Sequence, residues 1–360
     1  MAPNSIPTYL FPTALPYTQT ELQELFSVVT DKLDPNPALH YRLAMPFNWG
    51  QAPVDQKPVT PRQPIQLRSY FRTLAGPAAI ARVFIAYVPE EISPGDWLSI
   101  YLESQQETVV EERYTRLESG LAPDVLTRSG LDGAEQLSRW AVLKEYAEPG
   151  GSYLFVLQTS TATADYTADM ADTFLAIIAH FDLLQKSGWP YAEQLQMLEE
   201  EEPLSFATAY PSSWQLHEDP MANSPLFSQL ELTKTLNGVP VGRIYLTMIP
   251  QQIEPDKEHI VTLFNDIYET GNILFDPVEF IDLPAFGGLE QAWYGRVYQT
   301  NATPDEPRHW REIVVGQAQK AWFYAEHISL TRDTSPEGWA VCKRAFEILL
   351  DRLEVDQNVK

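Results

Sequence analysis

The residues in this chain that could do chemistry are few and dispersed. Histidines stand at 40, 180, 217, 259, 309 and 327, without an HxxxH or similar spacing that would bring two imidazoles to one ion. The densest cluster is His217-Glu218-Asp219, shortly after Trp214. Three adjacent side chains converge poorly on a single ion, so the run reads as a surface loop and no metal is expected. No GxSxG elbow, Walker glycine loop or GxGxxG after a strand occurs, which leaves hydrolase and nucleotide chemistry without local support. Gly287-Gly288 parallels Asp132-Gly133 and reads as a hairpin turn. Cys342, the single cysteine, rules out an internal disulfide or a multi-cysteine metal site. It sits on the apolar face of a helical pattern, where packing is expected rather than nucleophilic attack. No catalytic residue and no cofactor is expected.

Two arginines stand out because their surroundings recur. Ala81-Arg82-Val83-Phe84-Ile85-Ala86-Tyr87-Val88-Pro89, followed by Pro94, reappears as Gly242-Arg243-Ile244-Tyr245-Leu246-Thr247-Met248-Ile249-Pro250, followed by Pro255. The offset is constant (243 − 82 = 161; 255 − 94 = 161), which implies a duplicated domain. Both stretches are short, β-branched and aromatic, so each is expected to be a strand. Alternate strand residues face opposite sides. Val83, Ile85 and Tyr87, with Ile244, Leu246 and Met248, make an apolar face for packing under helices. The other face carries Arg82, Phe84 and Ala86 in one copy and Arg243, Tyr245 and Thr247 in the other. An aromatic beside a small residue leaves room for a partner's knob, and a neighbouring arginine can hydrogen-bond the partner's polar end. These six residues are the candidate partner-binding set. The alternative is that the arginines pair with carboxylates on their own sheet while the aromatics fill a second helix layer.

The elements that position these strands follow in the same order twice. Residues 1–38 read as a proline-rich arm and an amphipathic helix, with Thr18 and Glu21 as a capping box and Leu22, Leu25, Phe26, Val29 and Leu33 at helical spacing. The first repeat spans 39–185 and the second 204–360, joined by a linker helix over 186–203 that carries Tyr191, Leu195 and Leu198. Met45-Pro46-Phe47-Asn48-Trp49 opens one copy and Tyr210-Pro211-Ser212-Ser213-Trp214 the other; Trp49 and Trp214 are expected as core anchors. Helices are expected after Pro94 and Pro255 and at the end of each copy. Gly133-Ala134-Glu135-Gln136-Leu137 parallels Gly288-Leu289-Glu290-Gln291-Ala292 at an offset of 155 (288 − 133), which would make the first copy the longer between landmarks. Strands in consecutive runs, with helices between and after them, imply an α+β fold built on antiparallel sheet.

With 25 Lys+Arg against 49 Asp+Glu, the chain carries a formal charge of −24, which repels nucleic acid and anionic lipid. No apolar run is long enough to span a membrane, and residues 1–10 lack the basic start of a secretory signal, so a cytoplasmic location is expected.

The proline-tryptophan entrance, strand, proline turn into a helix, meander and terminal helix together resemble the Mog1/PsbP-like fold. Within it they are most similar to the DcrB-like bacterial proteins that include Eag chaperones, adaptors of type VI secretion effectors. That resemblance implies a non-enzymatic chaperone or adaptor, its partner a protein with apolar helices, in which one tandem chain stands in for a dimer. The alternatives are an enzyme with a dispersed site between the repeats and a structural assembly subunit.

Overall fold

The computed structural model describes residues 10–55, 57, 59, 65–131, 134–200, 205–218, 228–250, 260, 262, 274–303, 306–318 and 321–355. Two compact units divide between Ala192 and Glu193.

Unit 1 opens with α1 (Gln19–Leu25), and Thr18 and Glu21 form the reciprocal capping box. The helix stops at Leu25 rather than running on to Leu33. Phe26–Asp31 is strand β1, paired antiparallel with β2 (Tyr41–Pro46) from Phe26↔Pro46 to Asp31↔Tyr41. The β-branched run Val28-Val29-Thr30 favours this outcome once a partner strand is available, and a helix would have left β2 without its pairing. The arm and helix are therefore part of the first unit. A short β10 (Asp182–Leu183) completes this three-stranded sheet on the other side of β2.

The main sheet of unit 1 has seven strands: β3 (Trp49–Ala52), β4 (Ile65–Thr73), β5 (Ala79–Val88), β6 (Thr108–Leu117), β7 (Gly120–Leu131), β8 (Ala134–Tyr146) and β9 (Ser152–Ala162). They lie in the order β3-β4-β5-β9-β8-β7-β6, every neighbouring pair antiparallel. Helix α2 (Pro94–Ser104) lies between β5 and β6 and is N-capped by Ser93; α3 (Ala168–Ala179) follows β9 and is N-capped by Thr167. One sheet face, including Val83, Ile85, Phe155 and Leu157, packs with Phe174, Ile177 and Ile178 of α3, as the alternation in β5 requires. Each such fully buried side chain contributes about 1.5–3 kcal/mol. The other face is partly covered by α2 through Leu98 and Leu102.

Unit 2 begins with β11 (Leu195–Glu200), not a linker helix: Leu195↔Pro211 to Glu200↔Phe206 pair it with β12 (Phe206–Pro211). The physical reason is the one that ended α1, since β12 needs an edge partner just as β2 does. β12 also pairs β20 (Glu354–Val355). The main sheet comprises β13 (Gln215–Glu218), β14 (Ser228–Leu236), β15 (Val239–Pro250), β16 (Phe280–Leu283), β17 (Gln291–Tyr298), β18 (His309–Ala318) and β19 (Ala321–Leu330). Its order, β13-β14-β15-β19-β18-β17-β16, matches that of unit 1 strand for strand. Helix α4 (Pro336–Asp351) closes the unit, with Cys342, Phe346 and Leu349 in the core.

The expected α+β class and the two repeats are thus present. Strand pairing revises one alignment. Arg82 pairs Gln158 and through it Trp140, while Arg243 pairs Ile328 and through it Arg311, so β8 answers β18. The likeness of 133–137 to 288–292 is not a structural equivalence, because the first string runs into β8 and the second into β17. The second unit is the longer between landmarks: Arg82 to Arg139 is 57 residues (139 − 82) and Arg243 to Trp310 is 67 (310 − 243). The helix expected after Pro255 lies outside the described residues save for Ile260 and Thr262; Ile260 is fully buried against Ile313, Val315, Trp322 and Tyr324. No described helix is long and apolar enough to cross a membrane.

Candidate functional site

The second face of each seven-stranded sheet holds the candidate residues. In unit 2, Arg243 and Tyr245 project from β15 into a cleft of about 650 Å³, whose apolar lining includes Val241, Phe275, Ile328 and Leu330. Arg243 donates from Nη1 to the Tyr245 hydroxyl at 3.1 Å, and the same nitrogen lies 3.6 Å from Glu231 Oε1 on β14. The Tyr245 hydroxyl is hydrogen-bonded to Glu231 in turn. This bonding to Tyr245 raises the Arg243 pKa and keeps its charge fixed, yet its side chain remains 55% exposed. Burial, then the charge of Arg243, lowers the pKa of His309 on the cleft wall, so that imidazole is neutral at pH 7.

Further along the same face lies a buried polar group that strand alternation alone did not reveal. Arg311 and Glu326 are both fully buried, with Arg311 Nε 3.1 Å from Glu326 Oε2. The Tyr324 hydroxyl donates to the same oxygen at 2.5 Å, and the Phe275 ring lies 5.1 Å from the guanidinium carbon. Burial pushes the Glu326 carboxyl well above the usual carboxylate range. Its sequence signal was a single acid inside the apolar strand Ala321–Leu330. Its partner on β18 could be named only once register was known.

In unit 1, Arg82 lines a cleft of about 560 Å³ with Val54, Leu67, Tyr70 and Phe84. It donates to Gln158 Oε1 at 3.3 Å, and its guanidinium carbon lies 5.5 Å from the Tyr70 ring. The corresponding stretch of sheet is apolar: Trp140, Val156 and Leu154 stand where unit 2 has Arg311, Glu326 and Tyr324.

The clefts gather Arg82, Phe84, Arg243 and Tyr245, but not the two small residues of the candidate set. Ala86 is 2% exposed and packs with Leu98 and Leu102 of α2; Thr247 is 1% exposed, opposite Tyr324. At Ala86 the space left by a small residue is taken by the chain's own α2, which covers it at no cost in association entropy. The alternative reading holds in part: Arg243 stands beside a carboxylate of its own sheet, and Phe84 packs partly into the α2 layer.

The other flagged residues are structural. Trp49 and Trp214 are 8% and 3% exposed, in the cores of their units. Cys342 is fully buried, and burial pushes its thiol up, away from a reactive thiolate. His217 Nε2 lies 2.9 Å from Thr233 Oγ1 on the neighbouring strand, while Asp219 falls outside the described residues. Gly287 and Gly288 both adopt positive φ, +57° and +82°. They form a turn before β17 that lies against the C-terminal strand, where Val355 N donates to Gly287 O at 2.8 Å. Among the described residues no group of three acids, histidines or cysteines could hold a metal ion.

No family model and no curated protein matches the chain. Solved structures do. The Ran-binding protein Mog1p of Saccharomyces cerevisiae aligns with 45% of this chain and 96% of its own, at 9% identity and a TM-score of 0.31. PsbP (CyanoP) from Synechocystis sp. PCC 6803 aligns with 48% of this chain and 99% of its own, at 11% identity and a TM-score of 0.33. The type VI secretion immunity protein TplEi of Pseudomonas aeruginosa aligns with 89% of this chain and 95% of its own, at 12% identity and a TM-score of 0.25. Similarities of this degree do not assign the chain to a family.

Proposed function

We propose that the chain is a protein-binding module of adaptor or chaperone type. In this reading its two units descend from tandem duplication of a Mog1/PsbP-like domain of the DcrB-like group, and its client is a secreted effector with apolar helices. The observation that carries it is Arg243: a charged side chain, more than half exposed, braced by Tyr245 and Glu231 in a cleft where Val241, Phe275, Ile328 and Leu330 stand beside polar Thr233, Lys234 and His309. Arginine and tyrosine are among the residue types that dominate protein-binding hot spots once a partner covers them. The apolar lining suits a helix side chain, and the arginine suits a carboxylate or a helix C-terminal carbonyl.

The test is calorimetric titration with a synthetic apolar helical peptide ending in a free carboxylate. Arg243→Ala, with its circular dichroism unchanged, should weaken binding roughly tenfold or more. Equal affinity of the two proteins, or heat from neither, would remove the cleft as the binding site.

A further inference from the structure

Unit 1 holds a second polar site, on the opposite sheet face from the cleft and filled by the N-terminal arm. Phe11 is fully buried, its ring 3.6 Å from the Arg113 guanidinium carbon and 4.8 Å from that of Arg139. Three consecutive carbonyls of the arm are bound. Leu10 O accepts from the Tyr166 hydroxyl at 2.8 Å, and Phe11 O from Arg113 Nη1 at 2.6 Å. Pro12 O accepts from Arg113 Nη2 and, at 3.3 Å, from Arg139 Nη2.

Among the groups in direct contact, two cations share one carboxylate. Asp124 takes bonds from Arg139 Nε at 2.9 Å, Arg139 Nη2 at 2.7 Å and Arg113 Nε at 3.2 Å, and from Thr115 Oγ1 at 2.5 Å. Two guanidiniums bond one carboxylate in a site where Arg139 and Asp124 are both wholly buried, while Glu111 and Asp172 reach Arg113 and Arg139 by charge from farther off. Burial, reinforced by Arg139 and opposed by Asp124 and Glu111, lowers the Arg113 pKa. The arm meets the guanidiniums with an aromatic face and two carbonyl dipoles, those of Phe11 and Pro12, but brings no acid. Arg139 Nη1 is buried and, among the described residues, has no hydrogen-bond partner.

Unit 2 builds the same position from sheet residues. Register places Trp310 where Arg139 stands and Arg296 where Asp124 stands. Arg296 lies over Trp310 at 4.6 Å, so cation and ring are both supplied by the sheet itself. In unit 1 the ring arrives on a separate strip of chain. Beyond Pro12 the strip is more open: Thr13 to Pro16 are exposed and α1 has no buried residue, while Tyr17 and Leu22 pack partly against the core.

We propose that the Arg113–Arg139–Asp124 pocket is a peptide-binding site for an aromatic residue followed by proline. Its ligand in trans is a partner segment of that type that also carries a carboxylate. The arm is a resident stand-in, tethered at high effective concentration, which the acidic segment displaces by supplying the charge and acceptor the arm lacks.

The probes are the synthetic pentapeptide of residues 10–14, LFPTA, and its acidic form LFPDA, titrated against the full chain and against Phe11→Ala, which vacates the pocket. Phe11→Ala should bind both peptides saturably and roughly tenfold or more tightly than the unaltered chain does, with LFPDA the stronger. LAPTA should not bind. A second readout uses the inaccessibility of Cys342: a fluorophore on Thr13→Cys should gain mobility as LFPDA is added to a chain whose Phe11 is intact. If a folded Phe11→Ala chain binds none of the peptides, or binds LAPTA equally, and the fluorophore stays fixed, the arm is simply part of the core and the proposal is wrong.

Discussion

Glu312 shows how much a single side chain in this fold depends on neighbours distant in sequence. Burial alone would raise its pKa, but a hydrogen bond and charge from His327, the Tyr294 hydroxyl and the Arg296 charge outweigh that and hold it at about 2. The Tyr294 bond is 2.5 Å and the Arg296 bond 3.1 Å, with Glu312 only 4% exposed. A carboxyl depressed in the folded state adds stability above its unfolded pKa, near 4.5, and loses it as pH falls through its folded value. Glu312→Gln should therefore flatten the decline in urea midpoint between about pH 4.5 and about pH 2, a difference of roughly 2–4 kcal/mol across that window. An unchanged slope would mean that the cluster is not ionised as described. Arg82, Phe84, Arg243 and Tyr245 were legible in the sequence because a repeat marked them and alternation gave their face. Glu312, Arg311 and Glu326 were not, because a charge in a strand reads as surface until a neighbouring strand buries it.

At the scale of elements, the contact between α4 and β15 turns on Gly242. A Cβ there would collide with Cys342 Sγ and lie 2.9 Å from the Ile328 carbonyl oxygen. Gly242→Ala should destabilise unit 2 by about 1–3 kcal/mol, the usual cost of overpacking. Adding Cys342→Ala should recover only part of it, since the carbonyl clash remains; a double-mutant cycle in urea measures the coupling. Full additivity would show that helix and strand do not meet there. The same scale holds the clearest failures of periodicity. Phe26–Asp31 and Leu195–Glu200 carry apolar residues at spacings that fit a helix, yet both are edge strands. Periodicity measures only which side chains share a face, whereas β2 and β12 each needed a partner for their backbone groups.

For the whole molecule, the boundary between Ala192 and Glu193 is later than the end of the first apolar pattern. Ser187 N donates to Glu145 Oε1 at 2.7 Å, Gly151 N to Ala192 O at 2.6 Å, and Ala192 N to Glu91, which also holds Lys144 at 2.7 Å. A fragment of residues 1–192 should consequently unfold at higher urea than one of residues 1–185, by about 1–3 kcal/mol for each buried group left unpaired. Equal midpoints would put the boundary at 185 instead.

Composition, alternation and the repeated arginine strand were enough to determine an α+β chain built twice, with one apolar and one mixed face on its β5-type strands. Those properties are local, set by the side-chain period of two and by residue type along a few turns of chain. Tertiary structure alone decided that Ala86 and Thr247 are core and that Arg311 meets Glu326. It also decided that Phe11 from a proline-rich arm lies against two guanidiniums more than a hundred residues away. Each of these is a meeting of distant segments, where burial changes what a side chain is worth, and burial depends on which surfaces the folded chain brings together.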